Sequence, residues 1–174
     1  MEKIELILRS KVKPKEKQRK LIETICSKKI SSREFIEFFE SASDVDKGTC
    51  ADVMKHISAH TPEFLSPYIS ALIKYITYPL PRVRWGVPEA IGNLAKKYPE
   101  KVEVAIPRLL LNAKEESTVV KWCAAYGLTE IAKYNLKTRK QLLPVFLKII
   151  KNEKNNGVKN VYIKALKVIE KEKV

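Results

Sequence analysis

The fold of this chain is decided by a stretch that reads VRWGVPEAIGNLAK from Val83 to Lys96. A second stretch, VKWCAAYGLTEIAK from Val120 to Lys133, repeats its pattern 37 residues later. Both place apolar residues at the three- and four-residue spacings of one helix face. A period of about 20 to 50 residues is typical of solenoids, in which each unit buries its apolar face against its neighbours. The repeat therefore predicts a stack of helix pairs rather than a closed globule.

The period extends in both directions along the chain. Apolar residues fall 37 positions before members of the first copy or 38 positions after members of the second, and these are Met54, Ile57, Val158 and Ile169. A second helical pattern lies between the copies, with Ile106-Pro107 and Leu143-Pro144 again 37 residues apart. We therefore predict an all-α, right-handed α-α superhelix of about four helix pairs after a basic, partly helical N-terminal segment at 1–30. The predicted pairs lie at about 31–60, 61–97, 98–134 and 135–174.

Composition agrees with a single helical domain. The chain has 174 residues, 45% of them hydrophobic, and only 5 glycines. No apolar run reaches the ~20 residues that cross a bilayer, and the N-terminus lacks the order of a signal peptide. Three scattered cysteines, Cys26, Cys50 and Cys123, indicate reduced thiols rather than a disulfide framework. These features predict a cytoplasmic protein.

The formal charge is +14, and it is concentrated at the two ends of the chain. Residues 1–30 carry ten Lys or Arg against four Glu, and residues 135–174 carry eleven against three acids. Such a field attracts polyanions, although a lysine-coated surface also serves solubility alone. The segment KVKPKEKQRK at 11–20 is accordingly either a polyanion-binding arm or an ordinary charged N-terminus.

Helical geometry separates the core face of each second helix from the opposite face. Trp85 falls about 200° from the core residue Val83, and Trp122 occupies the same place relative to Val120. Lysines and an aromatic ring accompany the two indoles on or beside this face. The candidate residues for binding a partner are Trp85, Trp122, Tyr126, Arg84, Lys96, Lys121, Lys133, Lys164 and Lys167.

Three interpretations of this face stay open at the level of sequence. Flat aromatic rings among lysines suit nucleic acid, since rings stack bases and lysines neutralise phosphates. Trp and Tyr are also frequent anchors in protein interfaces. Alternatively, each Trp packs between adjacent repeats and its period simply follows the fold.

The second-helix pattern resembles a HEAT repeat. The residues that carry the resemblance are Val83-Arg84, Ala90-Ile91-Gly92 and Leu94, together with prolines inside the preceding helices. It covers about residues 31–171, and it departs from the family at Pro81-Arg82, where an acidic residue is usual, and at Pro88, which predicts a late start or a bend. The resemblance implies an armadillo-like scaffold whose second helices line a concave surface that binds a macromolecule.

A shorter resemblance is to the HEAT-like DNA alkylation-repair glycosylases. It rests on Lys97-Tyr98-Pro99-Glu100, Ile106-Pro107-Arg108 and Ala51-Asp52-Val53-Met54-Lys55. In that family a Trp is followed four residues later by a catalytic Asp, and the matching positions here are Trp85 and Glu89. This resemblance implies DNA binding, with Glu89 as the one candidate catalytic residue.

Other chemistry-bearing patterns are sparse. His56 and His60 share one helix at a spacing that can hold a metal, but no third ligand accompanies them. No glycine-rich phosphate loop and no Ser/His/Asp or Cys/His set is present, so we expect no cofactor, no metal and no small-molecule substrate. The leading hypothesis is a non-enzymatic scaffold that binds protein or nucleic acid on its concave face. The alternatives are a DNA-binding relative of the glycosylases and a small subunit docked through the ends of the stack.

Overall fold

The computed structural model describes residues 1–171, and within that range the chain forms eleven α-helices, short 3₁₀ turns and no strand. The helices are α1 (Glu2–Arg9), α2 (Pro14–Cys26), α3 (Ser32–Ser41), α4 (Asp44–His60), α5 (Ile69–Ile73), α6 (Pro81–Leu94), α7 (Pro99–Val102), α8 (Ile106–Asn112), α9 (Thr118–Tyr134), α10 (Leu136–Asn152) and α11 (Asn156–Lys171). The predicted all-α solenoid is confirmed.

The helices alternate between two rows. The second helices form one row, in which α2 packs on α4, α4 on α6, α6 on α9 and α9 on α11. The first helices, α1, α3, the segments 62–77 and 99–112, and α10, form the other row. Residues 1–26 are thus a fifth helical hairpin at the start of the stack.

The first helices of the two central hairpins are interrupted by prolines. Pro62 and Pro67 lie in 3₁₀ turns before α5, and Pro99 and Pro107 lie in the opening turns of α7 and α8. Proline lacks the N–H that a helix interior requires, so it is tolerated mainly in such opening turns. Pro144 behaves differently, because α10 continues through it to Asn152. From Pro88 we predicted that α6 would either start late or bend. It does not start late, because α6 begins at Pro81.

Side-chain caps fix where several helices begin. Ser31 accepts a hydrogen bond from the Glu34 backbone N–H while the Glu34 carboxylate accepts one from the Ser31 N–H, which is a capping box. Ser43, Ser117 and Asn135 cap α4, α9 and α10 in the simpler way. Each such cap stabilises a helix by about 1 kcal/mol, so the hairpin turns are encoded locally.

One hydrophobic core runs the length of the stack, from Ile4 in α1 to Ile169 in α11. Among the glycines, the closest approach is at Gly86, between α4 and α6, where an added Cβ would lie 2.5 Å from the Ala51 carbonyl oxygen. Only glycine permits two helix backbones to approach so closely.

No helix within the described range is long and apolar enough to cross a bilayer. The last predicted helix pair covers 135–174, and its final residues, 172–174, lie outside the described range.

Candidate functional site

The surface of interest is the side of α4, α6, α9 and α11 that carries four equivalent positions, Asp52, Glu89, Tyr126 and Lys164. We call it the second-helix face. The side chains on it meet at three seams between neighbouring helices, which are the α4–α6, α6–α9 and α9–α11 seams. The chemistry of each seam decides what the face offers to a partner.

At the α4–α6 seam, the carboxylates are bound by other side chains of the protein. Asp52 Oδ2 accepts hydrogen bonds from Gln18 Nε2 at 2.8 Å and from an Arg82 guanidinium nitrogen at 2.5 Å. Glu89 Oε1 lies 3.4 Å from Lys55 Nζ and accepts a weak bond from Cys123 Sγ at 3.5 Å. Burial, with the nearby Glu89 charge, raises the pKa of Cys123 and keeps this thiol protonated.

At the α6–α9 seam, an amide and a phenol close the surface. Asn93 donates to the Lys55 carbonyl at 3.1 Å and to Ser58 Oγ at 3.0 Å, while Tyr126 OH donates to Asn93 Oδ1 at 2.6 Å. A Cβ added to Gly92 would lie 2.9 Å from the Tyr126 ring. Burial raises the pKa of Tyr126 to about 12. This seam is therefore packed and hydrogen-bonded where Gly92, Asn93 and Tyr126 meet.

The α9–α11 seam is open. A groove of about 270 Å³ separates the two helices. The residues that line it are Trp122, Tyr126, Thr129, Glu130, Lys133, Gly157, Asn160, Val161, Lys164, Ala165 and Val168. The groove brings together four of the residues singled out from the sequence: Trp122, Tyr126, Lys133 and Lys164.

The two tryptophans differ in exposure although they occupy equivalent positions. Trp122 is 38% exposed, and its ring stacks on that of Tyr126 with centroids 6.0 Å apart and planes within 7°. Trp85 is only half-buried as a residue, but its indole nitrogen is fully buried and has no hydrogen-bond partner within the described structure. Trp122 is thus presented to solvent at the groove, whereas the polar atom of Trp85 is enclosed.

The cations of the face fall into two groups. Lys133 is paired with Glu130 one turn earlier on α9. Lys96, Lys164 and Lys167 are exposed, and within residues 1–171 none of them makes an ion pair or a hydrogen bond. The exposed positive charge of the face lies mainly on α11, beside the groove.

Two further sequence candidates, Arg84 and Lys121, are engaged elsewhere. Arg84 pairs with Glu115 at 2.7 Å, and Lys121 pairs with Glu153 at 2.8 Å. Arg84 and Lys121 are 37 residues apart, and the two acids, each in the turn after the next first helix, are 38 apart. The pairs thus repeat with the fold and tie successive hairpins together. The recurrence of the two acids in the sequence was the pattern that could have revealed these ion pairs.

Glu89 contacts side chains of the two neighbouring helices, and the two histidines contact each other. Glu89 is 17% exposed and contacts Lys55 and Cys123. The rings of His56 and His60 lie 4.5 Å apart on the surface of α4. Across residues 1–171, no three His, Cys, Asp or Glu side chains converge as metal ligands would.

Solved structures of designed armadillo repeat proteins resemble this chain. One, a complex with the peptide (KR)4, is 18% identical with a TM-score of 0.74, over 95% of this chain and 80% of the designed protein. Another, computationally designed for modular peptide recognition, is 22% identical with a TM-score of 0.66, over 88% of this chain and 68% of its own. No family model and no curated protein matches the sequence. At these identities the likeness shows the fold, and it confirms the predicted HEAT-like or armadillo-like solenoid.

Proposed function

We propose that this chain is a binding scaffold whose second-helix face holds a segment of a protein partner, with the α9–α11 groove at the centre of the contact. The observation that carries the proposal is the Trp122–Tyr126 stack at the wall of an open groove, in which the Trp122 ring is exposed. The equivalent seam between α6 and α9 is closed, so the groove is a local property of the last two hairpins and not a by-product of the repeat.

The chemistry of the groove suits a peptide. Trp and Tyr provide large, rigid contact areas at little cost in conformational entropy, and they are enriched among residues that dominate binding energy. The Trp122 ring is held by Tyr126, and Tyr126 is held in turn by its hydrogen bond to Asn93. The pair is therefore preorganised, which lowers the entropic cost of binding.

Polar groups around the stack can meet the backbone of a bound segment. Asn160 is exposed on α11, and Lys133 and Lys164 flank the groove on its two sides. A side-chain amide both donates and accepts hydrogen bonds, as an extended peptide backbone requires. Trp85, Lys96 and Lys167 lie on the same face and extend the proposed contact.

The structural neighbours support a peptide or protein as the partner. One was solved with the peptide (KR)4 bound, and another was designed for modular peptide recognition. Because the identity is low, their partners are a guide to the class of ligand only.

The proposal is tested with peptides that are selected for binding from a library. A library of random 12-residue peptides, displayed on phage, is panned against the immobilised protein, and enriched peptides are synthesised and titrated by fluorescence anisotropy. We expect them to bind Trp122→Ala at least about tenfold more weakly than the wild type, since loss of a central aromatic anchor typically costs 2 kcal/mol or more.

Tyr134→Ala is the matched control, because Tyr134 lies on the same helix and is also 38% exposed but does not line the groove. Its affinity for the selected peptides should equal that of the wild type. Failure to enrich any peptide, or equal binding to wild type and Trp122→Ala, would contradict the proposal.

A further inference from the structure

We infer that the segment held on the second-helix face is acidic, with carboxylates that meet Lys164 and Lys167 of α11 and Lys96 just after α6. This inference rests on the proposed function and adds the chemical class of the partner. It depends on which charges of the face are already neutralised inside the protein and which are not.

The carboxylates of the face are already occupied. Asp52 has two donors, Gln18 and Arg82, and Glu89 has Lys55 and Cys123. Glu130 is paired with Lys133 and is only 15% exposed. A basic peptide would have to displace these internal donors before it could use any of the three acids.

Three lysines of the second-helix face, unlike its carboxylates, have no partner within the described residues. Lys164 and Lys167 lie one turn apart on α11, and Lys96 lies near the end of α6. All three are exposed and, among the described residues, lack an acidic partner. A ligand carboxylate can therefore reach them without breaking an existing contact, and each such pair also speeds and orients the encounter.

The charge preference is thus expected to differ from that of a structural neighbour. A designed protein of the same fold was solved with the Lys/Arg peptide (KR)4. The scaffold geometry is shared, but the charges on the face belong to each sequence. Because free cations rather than free carboxylates border the groove of this chain, the same architecture should select the opposite sign of peptide.

Two peptides of equal length and opposite charge give a direct test. Fluorescein-labelled (Asp-Glu)4 and (Lys-Arg)4 are titrated with the full chain by anisotropy, at about 50 mM and about 200 mM salt. We expect (Asp-Glu)4 to bind at least about tenfold more tightly than (Lys-Arg)4 at the lower salt, and its affinity to fall as salt rises. Equal affinities, tighter binding of (Lys-Arg)4, or no binding of (Asp-Glu)4 would overturn the inference.

A double variant locates the effect. Lys164→Glu/Lys167→Glu should weaken (Asp-Glu)4 at least about tenfold and should strengthen (Lys-Arg)4. The matched control is Lys148→Glu/Lys151→Glu, which makes the same change in net charge at two exposed lysines one turn apart on α10, in the other row of helices. Equal losses in the two double variants would show that only net charge matters, and the inference would fail.

Two outcomes separate this inference from the function on which it rests. If the selected library peptides require Trp122 but are neutral or basic, the scaffold function stands and the acidic preference is wrong. If an eight-residue oligothymidylate binds as tightly as (Asp-Glu)4 and loses affinity in Lys164→Glu/Lys167→Glu, the partner is a nucleic acid, and both proposals are overturned.

Discussion

The α6–α9 and α9–α11 seams are built by the same repeat and yet differ in kind. At the first, Gly92 lies against the Tyr126 ring and Asn93 accepts the phenol hydrogen, so the surface is sealed. At the second, a groove of about 270 Å³ remains and Trp122 faces it. A repeat therefore sets the spacing of the helices, but individual side chains decide whether a seam is core or site.

Small residues account for much of the difference. Gly92 on α6 and Gly127 on α9 leave room for close approach, and a Cβ on Gly127 would lie 3.1 Å from the Pro88 carbonyl oxygen. The position on α11 that corresponds to Gly127 is Ala165. Backbones that can touch exclude ligands, whereas helices held apart by side chains leave a groove for one.

The largest effect is expected from filling the closed seam. Gly92→Val should destabilise the protein by about 3 kcal/mol, because the new side chain must displace the Tyr126 ring and the backbone of α9. At Gly157, at the mouth of the open seam, an added Cβ would meet one side-chain atom, Asn155 Oδ1 at 3.0 Å, so Gly157→Val should cost only about 1 kcal/mol. Urea denaturation of both variants measures the difference, and equal costs would contradict the distinction between the seams.

Substitution of the more buried tryptophan should likewise destabilise the protein more than substitution of the exposed one. Trp85→Ala should cost about 2 kcal/mol of stability, and Trp122→Ala less than about 1 kcal/mol, because Trp85 is the more buried. Thermal denaturation followed by circular dichroism gives both values. A larger loss for Trp122→Ala would mean that this ring is a packing residue, and the proposed site would lose its anchor.

The Lys121–Glu153 pair joins α9 to the turn before α11, and it predicts a pH dependence. The Lys121 ammonium and the Asn155 N–H hold the pKa of Glu153 below its ordinary value of 4.5. Folding therefore gains stability from this carboxylate above about pH 4.5 and loses it as the pH falls through the lowered pKa. Glu153→Gln should be about 1.5 kcal/mol less stable at pH 7.

The same variant should lose less stability than the wild type between pH 7 and pH 3. The melting temperature of both proteins across that range is the measurement. A parallel decline in the two proteins would show that the ion pair does not contribute.

The smallest effect concerns the hydrogen bond that seals the α6–α9 seam. Tyr126→Phe removes the donor to Asn93 Oδ1 and should cost about 1 kcal/mol. Tyr134→Phe, at an exposed ring of the same helix, should leave the urea midpoint unchanged. A Tyr126→Phe protein as stable as the wild type would show that the seam is closed by packing alone.

The two-row arrangement could be predicted from the sequence because it depends on local spacing. The recurrence of Val83 and Val120 fixed the core face, and a rotation of about 200° placed Trp122 on the opposite side. The N-terminal hairpin was harder to predict, because its buried residues do not follow the 37-residue period. The residues 37 positions after Leu21 and Ile25 of α2 are Ser58 and Pro62.

The roles of Arg84 and Lys121 could not be obtained from helical geometry. A helical wheel shows which side of its own helix a residue occupies, but it does not show which turn of the next hairpin comes within reach. Glu115 and Glu153 lie outside the second helices, and only the stacked structure brings them to the two cations.

The sequence by itself determined the helical content, the repeat and the helix face on which the two tryptophans lie, because these follow from the 3.6-residue turn and from short-range spacing. Only the tertiary structure decided which seam is sealed and which is open, which carboxylates are neutralised and which lysines stay free. Most of those properties depend on contacts between side chains 30 to 34 residues apart on neighbouring helices. The periodicity of one helix does not specify which of these side chains meet, because close packing depends on the shapes of both partners.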